Sequence, residues 1–308
     1  MRKVIGVGET ILDIIFRGNQ PHAAVPGGST FNGMVSLSRL GVPVIFISEV
    51  GNDRVGDIAC NFMRENGMTT DYVSRYANGK SPVSLAFLNE NRNAEYMFYT
   101  GYPANRSEII CPEINEDDIF VFGSFYALDP TLHDRMVELL ELARRRKAII
   151  YYDPNFRKMH LHEAIRVRST VMDNYEYATL VRGSDEDFFN LYGQTDMDRV
   201  YRDQIRFYCK TLITTHGANG VHLYTEKFHT RFDVPEITPV STIGAGDSFN
   251  AGVIYGLLKY DVRLKDLPEL DETIWTKIIR HATELASAVC QSYDNYIPVG
   301  FADAINKS

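Results

Sequence analysis

Short apolar runs alternate with amphipathic stretches along most of the chain. The runs that predict buried strands cover residues 4–8, 44–50, 119–123, 148–152, 178–181 and 211–215. Apolar residues at helical spacing follow several of them, as in Phe31, Met34, Val35 and Leu40 before Gly41. This alternation predicts an α/β protein. The 308 residues suffice for one large α/β domain, or for a main domain with a smaller addition.

Residues 69–104 break the alternation. Two strand-like runs, 83–88 and 95–99, are joined by the polar segment 89–93, which predicts a β-hairpin. Together with 71–76 they predict a small antiparallel sheet inserted beside the main one, in a form that could cover a ligand as a lid.

The segment 241–252 combines a glycine turn, a carboxylate and a helix. Gly244 and Gly246, separated only by Ala245, predict a turn with little side-chain bulk. Apolar residues at helical spacing follow, so the turn lies at a helix N-terminus, where N–H groups and the dipole favour an anion. Asp247 at this place suits a group that orients and deprotonates the acceptor of a phosphoryl. A tight turn with Asp247 as a first-turn cap explains the same residues without a ligand.

A second glycine turn lies near the start of the chain. Gly27 and Gly28 precede a helix for which Ser29 is the predicted N-cap, and Asn32 projects from its first turn. The Asn32 amide can both donate to and accept from a ligand hydroxyl. Asp13 follows the first strand, where open α/β sheets place ligands, and could accept hydrogen bonds from two hydroxyls of a polyol. A capped helix and a solvated loop acid are the alternatives without a ligand.

Polar side chains also follow two later strands. Asn155 and Arg157, after the strand at 148–152, suit a ligand with hydroxyls and a charge, although Asp-Pro-Asn is also a common turn. Ser184 and Asp187 have the spacing of a capping box. The acids at 185–187 could in addition hold Mg²⁺, directly or through water.

Composition excludes several classes of protein. A net charge of −8 and a pI near 5.5 argue against a nucleic-acid partner. The basic run 144–147 is expected on the solvated end of a helix that starts at Asp129 and Pro130. The four cysteines are too far apart in sequence to indicate zinc, and a reducing cytosol is the simplest compartment. Neither a signal-peptide core nor a membrane-spanning run is found, so we expect a cytoplasmic protein with no membrane partner.

Four motifs occur together and in order. They are Gly27-Gly28-Ser29-x-x-Asn32, Asp153-Pro154-Asn155-x-Arg157, Thr215-x-Gly217-x-x-Gly220 and Thr242-Ile243-Gly244-Ala245-Gly246-Asp247-Ser248-Phe249. The chain thereby resembles the PfkB (ribokinase-like) family of carbohydrate kinases over nearly its whole length, and the fructokinase branch most. The resemblance implies one kinase domain over 1–308, with a three-layer α/β/α fold around a mainly parallel sheet. It also implies a β-sheet lid, formed mainly by about 69–104 and by part of about 10–26, that often makes a homodimer contact.

The resemblance implies a sugar and ATP as substrates, Mg²⁺ as cofactor, and a role for each matching residue. Asp247 is the catalytic base. The backbone N–H groups that hold the transferring phosphoryl are those of Gly244, Ala245, Gly246 and Asp247. The residues expected near the sugar are Asp13, Gly28, Asn32, Asn155 and Arg157. The residues expected near the nucleotide are Ser184, Asp187, Thr215, Gly217 and Gly220, with Asp187 also reaching Mg²⁺ through water.

The sequence departs from the family pattern at two points. Ser241 stands where potassium-activated members have an aspartate that helps to hold the cation, so potassium activation is left open. Ser184 and Asp187 replace an Asn-x-x-Glu pair, which keeps a carboxylate but shortens it. Asp185 or Glu186 could therefore also take part in arranging Mg²⁺.

Other acceptors and a non-catalytic role stay open at this point. A 2-keto-3-deoxygluconate kinase needs a cation for the substrate carboxylate, for which the candidates are Arg92, Arg106 and Arg157. A nucleoside kinase needs an aromatic base pocket, for which the candidates are Tyr96, Phe98, Tyr99 and Tyr102. The donor could be ADP or pyrophosphate instead of ATP. A sugar-binding regulator could also use this fold without catalysis.

Overall fold

The computed structural model describes residues 2–88, 94–103, 106 and 109–305. Within these ranges the strands are β1 (Val4–Val7), β2 (Ile11–Arg17), β3 (Gln20–Gly27), β4 (Val44–Gly51), β5 (Val73–Tyr76), β6 (Lys80–Leu88), β7 (Ala94–Gly101), β8 (Ile119–Gly123), β9 (Ile149–Asp153), β10 (Leu180–Ser184), β11 (Leu212–Thr215), β12 (Val221–Tyr224) and β13 (His229–Phe232). The α-helices are α1 (Ser29–Arg39), α2 (Arg54–Glu65), α3 (His133–Arg145), α4 (Ala164–Tyr177), α5 (Asp185–Tyr192), α6 (Met197–Val200), α7 (Ala245–Lys259), α8 (Glu272–Cys290) and α9 (Phe301–Ile305).

The chain divides into two compact units. Unit 1 consists of Met1–Val4, Glu113–Ile237 and Gly252–Thr283. Unit 2 consists of Ile5–Pro112, Thr238–Ala251 and Glu284–Ser308. The single kinase domain expected from the sequence stays a prediction.

Unit 1 is built on strands in the order β13-β12-β11-β10-β9-β8. The strands β8 to β11 pair in parallel, whereas β12 and β13 continue antiparallel. Every residue of β8 and β9 is buried, which explains why these strands read as continuous apolar runs in the sequence. The carboxyl ends of β9, β10 and β11 deliver Asp153, Ser184 and Thr215, respectively.

Unit 2 contains the parallel pair β4 and β5, and a separate small sheet in the order β3-β2-β6-β7. In the small sheet β2 pairs with β3, and β6 with β7, in antiparallel fashion, while β2 and β6 are parallel. The part of 10–26 expected in this sheet therefore supplies two of its strands. The antiparallel pairing expected for 83–88 and 95–99 is confirmed by β6 and β7.

The expectation that 71–76 belongs to the small sheet is wrong. In the structure β5 pairs in parallel with β4, with Ser48 opposite Val73 and Gly51 opposite Tyr76. Val73 and Tyr76 are buried there. The strand itself is recognisable from local sequence, but its partner is not, because the sequence of a short strand does not specify which sheet edge it pairs with.

Two predicted helix starts shift in the structure. Helix α3 begins at His133, after a 3₁₀ turn over Phe125–Leu128, and not at Asp129 and Pro130. The Asp129 carboxylate instead accepts from the Thr131 backbone N–H at 2.9 Å, which makes a turn before the helix. Helix α1 has Gly28 as its N-cap, and Ser29 is its first helical residue.

The α/β class is confirmed, with a large and mostly parallel set of strands, helices, and a separate small sheet. In the part of the chain that the structure describes, no helix combines the length and apolar character needed to cross a membrane.

Candidate active site

The turn before α7 has the geometry that its glycines predict. Gly244 has a φ of 77°, in the left-handed region that favours glycine. A Cβ at this position would lie 2.3 Å from the Asn295 backbone oxygen, so a larger residue has no room. Helix α7 starts at the next residue, and the Ser248 N–H donates to Gly244 O at 2.9 Å. The predicted helix N-terminus is confirmed, and its first N–H groups have no intrahelical acceptor.

Asp247 lies in the first turn of α7, and its side chain is buried. Its Oδ1 accepts from Ser29 Oγ at 2.7 Å, and its Oδ2 accepts from Asn32 Nδ2 at 2.8 Å. Both donors come from the start of α1, so the two glycine turns of unit 2 meet at this carboxylate. Donors on both oxygens hold the carboxylate in one orientation, as a positioned base requires.

The start of α1 is shaped by Gly28. Its φ of 133° is accessible to glycine, and a Cβ there would lie 2.3 Å from Glu9 O. Ser29 makes no capping hydrogen bond to its own helix because its hydroxyl binds Asp247. The Asn32 Oδ1 is buried and has no hydrogen-bond partner among the described residues. This oxygen is an acceptor for which a ligand hydroxyl would be a suitable donor.

Asp13 lies in β2, and its Oδ1 accepts a hydrogen bond from Ser84 Oγ. Burial raises the pKa of Asp13, the Ser84 hydroxyl lowers it, and the nearby Asp247 and Glu9 carboxylates raise it further, to about 6. Asp13, Asp247 and Glu9 therefore form one acidic region of unit 2. Carboxylates that are close together and poorly solvated favour ligands that donate hydrogen bonds, such as the hydroxyls of a polyol.

The Asp13 pKa predicts a pH dependence. If ionised Asp13 accepts the hydroxyls of the acceptor, the acceptor KM should rise about tenfold on going from pH 7.5 to pH 5, because only about one tenth of Asp13 is then ionised. Steady-state kinetics across this range measures the change. In Asp13→Asn the acceptor KM should be high and nearly independent of pH between 5 and 7.5. A wild-type KM that stays constant over this range would contradict the assignment.

Thermal unfolding separates this effect from misfolding. The folded-state pKa of Asp13 lies above the ordinary value of 3.8, so the folded state binds the proton more tightly. The contribution of Asp13 to the free energy of unfolding therefore falls as the pH rises from about 4 to about 6, and stays low above that. Asp13→Asn should accordingly raise the melting temperature at pH 7.5 while it weakens acceptor binding.

In unit 1, the strand β9 ends at Asp153, and the expected Asp-Pro-Asn turn follows. Asp153 Oδ1 accepts from the Asn155 backbone N–H at 3.0 Å, and Asn155 has a φ of 41°. Arg182 Nη1 donates to Asp153 Oδ2 at 3.0 Å. Asn155 is half-buried, whereas Arg157 is exposed. The structure thus explains the turn by its own hydrogen bonds, and the sugar contacts of Asn155 and Arg157 stay predictions.

The capping box at Ser184 and Asp187 is confirmed. Ser184 Oγ accepts from the Asp187 N–H at 3.1 Å, and Asp187 Oδ2 accepts from the Ser184 N–H at 2.7 Å. Asp187 is 2% exposed, and its Oδ1 is buried with no hydrogen-bond partner among the described residues. An unpartnered carboxylate oxygen fits one contact to a water of a hydrated Mg²⁺. No three His, Cys, Asp or Glu side chains within the described ranges are grouped to hold a metal ion by themselves.

Thr215 is the last residue of β11 and is half-buried. Its Oγ1 accepts from Arg182 Nη2 at 2.7 Å. Gly217 begins a 3₁₀ turn over Gly217–Asn219, and Gly220 O accepts from the His216 N–H at 2.9 Å. The three residues expected at the nucleotide, Thr215, Gly217 and Gly220, therefore lie in one tight loop at a strand end.

Ser241 provides no charge at the start of the 241–252 segment. It is buried, and its Oγ accepts from the Ile243 N–H at 3.2 Å. The hydroxyl therefore forms a turn with Ile243, and it carries no charge that could neutralise a cation.

The sequence profile of the pfkB family of carbohydrate kinases matches residues 1–299. The chain belongs to the pfkB family of carbohydrate kinases. The family indicates a phosphotransferase that acts on an alcohol group. A curated relative, the probable fructokinase-6, chloroplastic, of Arabidopsis thaliana, is 28% identical over 255 residues, which are 81% of this chain and 66% of the relative.

Solved structures of sugar kinases share the fold. A double mutant of the fructokinase from Vibrio cholerae O395, bound to fructose, ADP and a potassium ion, has a TM-score of 0.83 at 20% identity, covering 96% of this chain and 94% of that one. The aminoimidazole riboside kinase from Salmonella enterica, with aminoimidazole riboside and an ATP analogue, has a TM-score of 0.83 at 21% identity, covering 99% of both chains. The ribokinase-like fold expected from the motifs is confirmed.

Three polar residues of this pfkB kinase escaped the sequence analysis as site residues. In the sequence, Ser29 has the pattern of a helix cap, Ser84 lies in a predicted lid strand, and Arg182 follows a predicted strand that ends at 181. The structure places Arg182 inside β10 and buries it. If the predicted strand is extended from 181 to Ser184, Arg182 lies inside it, between Val181 and Gly183. A charged residue inside a central strand is the signal that could have marked Arg182.

Proposed function

We propose that this chain is an ATP-dependent fructokinase, which transfers the γ-phosphoryl of ATP to a hydroxyl of fructose. The observation that carries the proposal is the buried Asp247, held by Ser29 and Asn32 at the N-terminus of α7 directly after Gly244. A base for an acceptor hydroxyl and a turn that favours anions thus occur within four residues. The fructokinase names of its relatives support the acceptor.

In the proposed reaction, Asp247 orients the fructose hydroxyl and takes its proton as the oxygen bonds to the γ-phosphorus. The bond between the γ-phosphorus and the bridging oxygen breaks, and ADP leaves with the electron pair. The N–H groups of 244–247 stabilise the charge on the transferring phosphoryl. Asp13 and Asn32 accept hydrogen bonds from other sugar hydroxyls, beside the backbone at Gly28.

Unit 1 is proposed to bind the nucleotide through Thr215, Gly217 and Gly220, with Ser184 and Asp187 nearby on β10 and α5. Mg²⁺, which neutralises phosphate charge when bound, would be contacted by Asp187 through water, with Asp185 and Glu186 at the same helix start. Because Ser241 is neutral, we do not propose potassium activation. Asn155 and Arg157 are kept as proposed contacts to the sugar or a phosphate.

The charges of unit 2 favour a neutral sugar over a keto acid. Arg106 Nε donates to the buried Glu49 at 2.6 Å, and its guanidinium lies 3.7 Å from the centre of the Tyr102 ring. Its charge is thereby compensated within the protein. Asp13, Glu9 and Asp247 would repel a substrate carboxylate. Of the other cations considered for a keto acid, Arg157 is exposed in unit 1, and Arg92 lies outside the described residues.

Three large exposed residues of β7 support a homodimer through the small sheet. Met97, Phe98 and Tyr99 are 49%, 40% and 55% exposed, which is unusual for three consecutive large apolar residues. Tyr102, by contrast, is engaged with Arg106. Burial of this strand between two copies would remove the exposed apolar surface.

A cytosolic location is also part of the proposal. The described cysteines are all free, which is typical of proteins in a reducing compartment.

A coupled assay for ADP release tests the proposed function. With ATP and Mg²⁺, fructose should support the highest kcat/KM in a panel that also contains ribose, 2-keto-3-deoxygluconate, adenosine and aminoimidazole riboside. ADP and pyrophosphate are tested as alternative donors by detection of the sugar phosphate. A higher kcat/KM for another acceptor would replace fructose in the proposal. Stabilisation by fructose in a thermal-shift assay without turnover would instead indicate a sugar-binding regulator.

A further inference from the structure

Arg182 is a buried arginine in the middle of a parallel sheet. It lies in β10, between β9 and β11, and is 5% exposed. Val181 is opposite Tyr152 on one side, and Arg182 is opposite Ile213 on the other. Its guanidinium reaches the last residue of each neighbouring strand, Asp153 at 3.0 Å and Thr215 at 2.7 Å. One side chain therefore ties together the carboxyl ends of three strands.

If position 182 had a purely structural role, an apolar residue could fill it without the loss of hydration that burying a charge entails. A buried ion pair loses the hydration of both charges, and well-packed apolar side chains are often as stable or more so. Burial lowers the pKa of Arg182, but Asp153, Tyr151 and Asp187 together raise it above its usual value. Arg182 is therefore charged at every pH at which the enzyme can work. Its guanidinium can donate hydrogen bonds but can never accept one.

That property determines what Thr215 can do. A guanidinium has no acceptor, so the Thr215 oxygen must accept from Arg182, and the Thr215 hydroxyl proton has to point elsewhere. Among the residues that the structure describes, none accepts this proton. Thr215 is half-buried, so a ligand oxygen can reach it. The pair thus presents, at the end of β11, a hydroxyl whose proton points away from Arg182.

The second contact of Arg182 acts on the neighbouring loop. Asp153 Oδ2 accepts from Arg182, while Asp153 Oδ1 accepts from the Asn155 N–H. The ion pair therefore orients the carboxylate that holds Asn155 at its φ of 41°. Removal of the guanidinium would release both this turn and the Thr215 hydroxyl.

We propose that Arg182 is a positioning residue for nucleotide binding: it makes Thr215 an obligatory hydrogen-bond donor to a phosphate oxygen of the nucleotide and holds the turn at Asn155. This inference rests on the proposed function, in which Thr215 contacts the nucleotide. Arg182 itself does not touch the ligand. Its positive charge is compensated by Asp153, and what reaches the nucleotide is the Thr215 hydroxyl.

Four single variants and one double variant test the proposal by kinetics with ATP and fructose varied separately. Thr215→Val keeps the shape but removes the hydroxyl, and should raise the KM for ATP about 10- to 100-fold, the effect of one hydrogen bond to a charged group. Arg182→Met should raise the same KM to a similar extent, and the double variant should be no worse than the worse single variant. Arg182→Lys and Thr215→Ser, which keep a donor and a hydroxyl, should recover most of the wild-type KM. The KM for fructose should change less than about threefold in Thr215→Val.

Asp118→Asn is the matched control. Asp118 is also buried in unit 1 and forms an ion pair with Lys3 Nζ at 2.6 Å, before the start of β8. Its loss should lower the melting temperature and leave the KM for ATP unchanged. The proposal is overturned if Thr215→Val binds ATP normally, if the effects of Arg182→Met and Thr215→Val multiply, or if Arg182→Met changes only the melting temperature.

Titration calorimetry with ADP separates this proposal from the proposed function. If the wild type does not phosphorylate fructose, the fructokinase proposal fails, but ADP binding to the same variants still tests Arg182. A weaker ADP affinity in Thr215→Val and Arg182→Met, restored in Arg182→Lys, supports the positioning role. Equal ADP affinities in all variants overturn it.

Discussion

Replacing Asp247 with asparagine is expected to lower kcat about 10²- to 10⁴-fold, the range for loss of a general base. The KM for the sugar should change little. The substitution can be accommodated because the introduced amide can keep its oxygen for Asn32 Nδ2 and turn its NH₂ group to the Ser29 hydroxyl, which can also accept. Steady-state kinetics with a saturating donor, together with a thermal-shift measurement of sugar binding, gives both quantities.

Ser29→Ala provides the control for this prediction. It removes one of the two hydrogen bonds that orient Asp247 but keeps the carboxylate, so a fall in kcat of about tenfold or less is expected. Turnover of Asp247→Asn near the wild-type value would show that another group takes the proton. The assignment of the base would then be wrong, even if the chain is a fructokinase.

Replacing Gly244 with alanine is expected to lower kcat about 10²- to 10³-fold, as for the loss of a donor to a developing negative charge. The alanine Cβ would lie 2.3 Å from Asn295 O, so the turn must move away from the backbone of 295. A movement of even about 1 Å displaces the N–H groups of the α7 N-terminus from the phosphoryl. Kinetics and thermal unfolding of the purified variant measure the two consequences.

Gly41→Ala is a matched control for Gly244→Ala. Gly41 has the same φ of +77°, but a Cβ there would meet nothing within 4 Å. The strain of a left-handed alanine, about 1–2 kcal/mol, is therefore common to both variants, whereas the collision with Asn295 belongs only to Gly244→Ala. Gly41→Ala should lose stability and keep kcat. Equal kcat values in the two variants would contradict the role of the 244–247 turn.

The parts of the site that depend on neighbours in sequence were predictable. The capping box at Ser184 and Asp187 was confirmed because a hydrogen bond between residues three apart forms wherever the helix starts. The start of α7 after the glycine turn was confirmed for the same reason. The family followed from the motifs, since four short patterns in a fixed order seldom occur together by chance, and the family profile matches the chain.

Predictions failed where a residue had two possible partners. Ser29 has the side chain of an N-cap, but in the structure its hydroxyl binds Asp247, 218 positions further along the chain. The strand at 73–76 was recognised, but it pairs with β4 and not with the small sheet. Local patterns define which groups need a partner, whereas the competition between near and distant partners is decided only when the chain is folded.

The sequence by itself determined the α/β alternation, the family, and the position of Asp247 in a glycine turn at the start of a helix. These features rest on local spacing and on motifs. Only the tertiary structure showed that Ser29 and Asn32 hold Asp247, that burial, Ser84 and the neighbouring acids set the pKa of Asp13, and that Arg182 joins Asp153 to Thr215. The hydrogen bonds among these contacts connect residues that lie between 29 and 218 positions apart. Their geometry depends on strand register and helix packing, and therefore on the fold as a whole.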